Sequence, residues 1–178
     1  MAEIIDILNE DGTLSGRVAE KAEIYNKGYW HRGANAWIIN QNGEILIARR
    51  AYSKKSFLGM WDQSSSGHVD AGETSMQAII RETREELGLS LSDDQFVLIG
   101  TWKEDVIYPN GWNAKIIHDV YVVREDFKIS DIKPDPEEVA EVRYASIEWI
   151  NEHTYDKDPD NSILGDEKWT MLLDYLKS

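Results

Sequence analysis

Between Gly67 and Leu89 the chain reads GHVDAGETSMQAIIRETREELGL, and this stretch specifies a loop, a helix and a cluster of acids together. Thr74, with Gln77 three residues on, has the form of a capping box and predicts a helix from about Ser75. Met76, Ile79, Ile80, Thr83 and Leu87 recur at spacings of three and four, which makes one stripe for burial. Gly88 is a stop just past the last turn, where the left-handed backbone of a helix end suits glycine. On the other face Glu82, Glu85 and Glu86 stand at i, i+3 and i+4, so their side chains are neighbours. Arg81 lies one turn from Glu85 and can hold its carboxylate. Acids crowded this way repel one another unless a cation sits among them. An all-oxygen donor set in a chain without cysteine suits Mg²⁺, or Mn²⁺, better than zinc. A solvated acidic helix face is the commoner fate of an E-x-x-E-E run. The joint spacing of Gly67, Glu73, Arg81-Glu82, Glu85-Glu86 and Gly88 is what argues for a site.

With U for an apolar residue, the stretch fits G-x5-E-x7-R-E-U-x-E-E-x-G-U at every specified position but Thr83. In this it resembles the Nudix superfamily. The resemblance implies a three-layer α/β/α sandwich with a mixed β-sheet, and Mg²⁺-assisted hydrolysis of a diphosphate linked to another moiety. Carried over position by position, it implies Glu82, Glu85, Glu86 and the Gly67 carbonyl as metal ligands. Arg81 would orient a glutamate, and one of the glutamates would deprotonate the attacking water. Thr83 lies on the buried stripe, so its departure from the pattern should cost packing rather than chemistry. Phosphoryl transfer asks mainly for positioning and charge stabilisation, which such a constellation supplies.

A second block runs from Trp30-His31-Arg32 through Ala36 to Asn40, Gly43, Ile45 to Arg50, Ser53-Lys54-Lys55, Gly59, Trp61 and Gly67-His68. It is similar to the isopentenyl-diphosphate-isomerase-like branch of the superfamily, which holds both isomerases and hydrolases. The isomerases place a catalytic cysteine where this chain has Ser66, and the chain contains no cysteine. Their later glutamate pair aligns near Ala114 and Ile116, and a further metal-binding histidine near Ile24. Isomerisation needs a protonating and deprotonating pair, so a hydrolase is the expectation and an isomerase the alternative. A catalytically silent ligand-sensing domain is a third reading, opposed by the intact helix carboxylates.

Within this block His31 and His68 match isomerase metal-site histidines and are candidates to touch metal or substrate, against a structural role. Arg49, Arg50, Lys54 and Lys55 are the densest basic cluster in an acidic chain and can clamp phosphate oxygens. Alternation along Ile45 to Arg50 sends the two arginines to opposite sides of a strand, so one of them faces the site. Trp61 can stack on a base or a prenyl chain, although core packing is the commoner use of tryptophan. Asp119, Glu104 and Asp105 are candidates for a further acid, and the aromatic turn Tyr108 to Asn113 for a pocket wall.

The remaining sequence reads as a single domain over residues 1–178: an N-terminal strand and extension over 1–29, the glutamate box over 67–89 and a C-terminal helix over 160–178. Strands are expected at Ile4 to Leu8, Ala34 to Ile39, Ile45 to Arg50, Phe96 to Trp102, Asp105 to Tyr108, Ile116 to Val123 and Val142 to Tyr144. Leu14 to Tyr29 reads as a polar segment. Ser146 opens a short helix to about Glu152, and a final amphipathic helix is expected from about Ser162 to Leu176. Nineteen basic against thirty-three acidic residues give a net charge of −14, which argues against a nucleic-acid polymer and for a small-molecule diphosphate. No apolar run approaches membrane length and the N-terminus lacks a signal-peptide core, so the cytoplasm is the expected compartment. A homodimer is left open.

Overall fold

The computed structural model describes residues 3–54, 56–108 and 111–178. Its frame is a sheet in the order β5 (Trp61–Asp62), β4 (Ile45–Arg50), β3 (His31–Ile39), β8 (Asn113–Arg124) and β7 (Phe96–Ile107). β6 (Ser65–His68) pairs with β3, and β9 (Val139–Ala145) with β4. β3 and β8 run parallel from His31 opposite Ile116 to Ile39 opposite Arg124, while the other pairings in this sheet are antiparallel.

β3 and β4 meet only at Ile38 and Ile39, then diverge, with β6 taking β3 along Gly33 to Ala36 and β5 taking β4 at Ala48 and Arg49. Ser64 sits where they part. Its hydroxyl accepts from Ile38 N at 2.8 Å and donates to Leu46 O at 2.5 Å, and the residue is wholly buried. One hydroxyl thus satisfies a donor on one strand and an acceptor on the other, where unpaired groups would carry a desolvation penalty.

Both faces of the sheet are covered. Ala34, Ala36, Ile38 and Leu46 pack under α2 (Ser75–Leu87) through its buried Ala78, Ile79 and Leu87. Trp37, Ile39, Ile45 and Ile47 pack under α3 (Ile147–Glu152) and α4 (Glu167–Lys177) through Ile150, Trp169 and Leu172. These layers form the expected α/β/α sandwich around a mixed sheet. α2 starts and stops as its sequence predicts: Thr74 and Gln77 form the capping box, and Gly88 ends the helix at φ 69°. Thr83 is fully buried on the stripe and its hydroxyl has no hydrogen-bond partner among the described residues, so the departure falls on packing.

Three expectations are corrected. The polar segment Leu14 to Tyr29 contains β2 (Leu14–Glu20), paired with β1 (Ile4–Leu8) in a separate two-stranded sheet, and α1 (Lys21–Lys27). Only Ala19 of β2 is buried, so it shows no apolar period, and pairing with β1 is what makes it a strand. The final helix begins at Glu167, because Gly165 turns the chain at φ 95° and the Asp166 side chain caps the amides of Lys168 and Trp169. Leu164 is buried ahead of it rather than within it. Finally, the two strands predicted between Phe96 and Tyr108 are one twelve-residue strand, β7, with a register shift between Leu98 and Gly100.

Replacing Ser64 by alanine leaves Ile38 N and Leu46 O without their bridge in a dry site. The expected loss is about 1–3 kcal/mol in urea unfolding, and wild-type stability of that variant would show that β3 and β4 diverge without this hydroxyl.

Candidate active site

α2 lies against β6 so closely that a Cβ on Gly67 would collide with the Glu82 carboxyl. Four residues on, Glu86 accepts from the Ser65 hydroxyl at 2.7 Å and from Ser66 N at 3.1 Å. Arg81 ties the corner together. Its Nε and Nη2 hold both oxygens of Glu73 at 3.1 and 2.9 Å, Nη1 donates to Glu82 at 2.7 Å, and Nη2 donates to the His68 carbonyl at 3.1 Å. Its contact with Glu85, the one legible in the sequence, is longer, at 3.4 Å, and Glu85 is exposed. Burial pushes the Glu82 carboxyl up to about 7 despite Arg81, and Glu86 up to about 8 despite its serine donors. Glu86 has no cationic partner among the described residues, and the one that Glu82 has does not offset its burial, so a hard cation here would favour both ionised carboxylates. As they stand, no three acids or histidines among the described residues converge to hold a metal, because Glu82 is turned to Arg81 and Glu86 to β6.

On a strand, successive side chains point to opposite faces. Gly67 therefore looks toward α2, while His68 looks toward the other face of the sheet. There His68 lies between Glu3, 2.9 Å from Nδ1, and the Tyr25 hydroxyl, which donates to Nε2 at 2.8 Å. His31 stacks on it with ring centroids 5.4 Å apart, and Tyr25 stands edge-on to both. His31 Nδ1 donates to the Tyr29 carbonyl at 3.1 Å, which leaves Nε2 as a buried lone pair with no partner among the described residues. Burial pushes His31 down to about 4 and lowers His68, so both rings are neutral at pH 7.

Beside them, His118 Nε2 donates to Glu104 at 2.8 Å, and the Tyr108 hydroxyl donates to the same carboxylate at 2.6 Å. Gln63 donates to Asn35 at 2.6 Å and Asn35 to His118 Nδ1 at 3.1 Å, which fixes the ring's tautomer. Burial pushes Glu104 up, but hydrogen bonds from His118 and Tyr108 outweigh it and hold the carboxyl below its ordinary value. Trp102 stacks on His118 at 5.1 Å, and the ammonium of Lys168 lies 5.3 Å from the Trp102 ring.

The basic candidates separate as alternation requires. Arg50 lies 3.7 Å from Asp62 and lines, with Ser65 and Ser66, the small cavity beside Glu86. Arg49 donates to the Gly59 carbonyl at 2.7 Å on the opposite side, over the ring of Trp61. Trp61 is 7% exposed and belongs to the core between Trp149 and the guanidinium of Arg143. Lys55, together with Pro109 and Asn110 of the aromatic turn, lies outside the described residues. Of that turn, Tyr108 reaches Glu104 and Trp112 stacks on Tyr25. Of the candidate acids, Asp119 is held by two bonds from Arg32, both 2.9 Å, and by Thr101, and Asp105 pairs with Lys115. Ala114 and Ile116 are buried apolar residues. Glu3, Tyr25, Asn35, Gln63, His118 and Lys168 were not anticipated from sequence. His118 had a signal, a polar residue in the apolar alternation Ile116, Val120, Val122; the others are brought in by tertiary contacts.

Comparison with known proteins identifies the family and the fold. The NUDIX domain model matches residues 29–164. "Nudix hydrolase 3" of Arabidopsis thaliana is 30% identical over 161 residues, 88% of this chain, and the match spans about a fifth (21%) of that longer protein. An isopentenyl-diphosphate Delta-isomerase of Klebsiella pneumoniae is 30% identical over 82% of this chain and 77% of its own length. The DR0079 crystal structure from Deinococcus radiodurans superposes with a TM-score of 0.72 over 97% of this chain and 99% of that one, at 23% identity. The chain belongs to the Nudix domain family.

Gly67→Ala tests the seat of Glu82. The carboxyl can swing away, so unfolding stability should stay within about 1 kcal/mol of wild type. Turnover should fall about 10²-fold as Glu82 is displaced, and undiminished turnover would show that the contact with Gly67 is dispensable.

Proposed function

We propose that the chain hydrolyses a diphosphate linkage in a small metabolite, a nucleoside diphosphate derivative or related diphosphate, with Mg²⁺ or Mn²⁺ as its cofactor. The observation that carries this reading is the pair of buried carboxyls, Glu82 and Glu86, seated on β6 at Gly67 and Ser65 with Arg81 bracing the first. Glu82, Glu85, Glu86 and the Gly67 carbonyl would hold the cation. When bound, it would neutralise phosphate charge and make an attacking water more acidic. Arg81 keeps Glu82 and Glu73 in place while the other glutamates exchange partners, and a glutamate accepts the proton of the water. Arg50, beside the same cavity, is the better placed of the two arginines to meet a phosphate oxygen. His31 and His68 are proposed as substrate contacts on the far side of β6; Arg49, Lys55 and Trp61 were candidates too, but Arg49 and Trp61 are engaged elsewhere.

Purified protein with Mg²⁺ should release phosphate or a phosphorylated product from one member of a panel of dinucleotides, nucleoside diphosphate sugars, coenzyme A and nucleoside triphosphates. Glu86→Gln should cut that rate about 10²-fold or more. Equal rates for wild type and variant would sink the hydrolase reading.

The isomerase reading has one point in its favour beyond the related sequences: Glu104 is the cross-strand partner of Ile116, so a carboxylate does stand beside that position. At the cysteine position Ser66 offers no thiol, and its amide is spent on Glu86. Conversion of isopentenyl diphosphate to its isomer, with no hydrolysis of any diphosphate, would establish it.

A further inference from the structure

The C-terminal helix contributes one side chain to the histidine side of the site. Lys168, in the first turn of α4, is turned back along the helix start so that its ammonium meets Asp166 Oδ2 at 2.7 Å, while Asp166 Oδ1 caps the backbone amides. The lysine side chain is 14% exposed. Its ammonium lies over the Trp102 ring, which also stacks on the His118 ring. The charges it faces come from three elements: Asp166 on α4, Asp62 on β5 and Glu104 on β7. Arg50 approaches Asp62 from the Glu86 side. Lys168 therefore stands at the Trp102–His118 stack, with the Glu104 and Asp62 carboxylates in its electrostatic surroundings.

An ammonium has three donors. Among the described residues one acceptor, Asp166, lies within hydrogen-bonding distance of this one. A structural lysine needs only to neutralise its partner from the surface, as Lys177 does with Asp174 at 73% exposure. Lys168 is instead drawn inward, in a protein of net charge −14 whose acids surround this site. A polyanionic substrate must meet positive charge there to enter at all. Arg49 is committed to the Gly59 carbonyl and Arg81 to Glu73 and Glu82, whereas Arg50 and Lys168 each face the site with a single carboxylate partner among the described residues, Asp62 and Asp166.

We propose that Lys168 is a substrate-contacting residue whose ammonium binds a phosphate oxygen of the diphosphate, with Asp166 holding it in readiness. The assignment rests on the hydrolase reading for the identity of the substrate. Its test is a binding measurement that does not depend on turnover: calorimetric titration of imidodiphosphate, which resists hydrolysis, with Mg²⁺ present throughout. Lys168→Met keeps an unbranched side chain of similar length and removes the charge, so it should weaken binding about 10-fold or more, and Lys168→Arg should restore it to within about 3-fold. Asp166→Asn keeps a helix-capping side chain and removes only the ion pair, so binding should hold or tighten. Lys168→Gln is the second charge-free variant should methionine disturb folding, with thermal unfolding as the control. Wild-type affinity in both charge-free variants, equal losses in Asp166→Asn and Lys168→Met, or no saturable binding by wild type would each overturn the assignment. If wild type binds imidodiphosphate yet cleaves no diphosphate, the hydrolase reading has failed while Lys168 is still judged by the ratio of affinities.

Discussion

The divergence of β3 from β4 is the constraint on which the rest of the site depends. Two neighbouring strands of one sheet that part company expose backbone donors and acceptors, and a dry interior does not tolerate them unpaired. Ser64 closes that gap with a single hydroxyl, and the residues on either side of it become β5 and β6. Without the parting, β3 would have no free edge for β6 to pair with, and Ser65, Gly67 and His68 would have nowhere to present themselves. The sheet gives up part of one ladder and gains a short strand with chemistry on both of its faces.

That strand is thin enough for the two faces to act together. Toward α2 it offers a glycine, an amide and a hydroxyl, all small, so the glutamates can approach the backbone. Toward α4 it offers His68, which joins a layer of neutral rings and two ionised carboxylates, Glu3 and Glu104. Arg81 spans both, since the same guanidinium that braces Glu82 also takes the carbonyl of His68. A change of partner at a glutamate is thereby felt at the backbone of the histidine.

Much of this was legible because it is local. The cap at Thr74, the stripe through Leu87 and the stop at Gly88 lie within one helix, where spacing alone decides which side chains meet. Arg81 was only partly legible: the sequence shows its neighbour one turn on, but the bonds to Glu73 and to the His68 carbonyl depend on how the loop folds back over α2. The parity argument for Arg49 and Arg50 held because a strand's alternation survives any tertiary context. β2 was hidden because a strand with nearly all of its residues exposed carries no apolar period. Lys168 was hidden for a different reason. Its role depends on where α4 docks and on the turn at Gly165 that sets the helix start, and neither is written in the helix itself.

The parallel ladder between β3 and β8 has a consequence for assembly. β7 and β8 are antiparallel neighbours in sequence and in the sheet, so their pairing is local and needs only its own residues. Joining β8 to β3, by contrast, closes a span that contains β4, β5, β6, α2 and β7, with the ordering entropy such closures carry. Both halves of the site lie inside or at the edges of that span. His118 and Glu104 pair within the β7–β8 hairpin itself but meet Asn35 of β3 only when that span closes, and Lys168 needs α4 docked on the sheet. The helix box is thus a local event in the folding of this chain, whereas the site as a whole is one of its last.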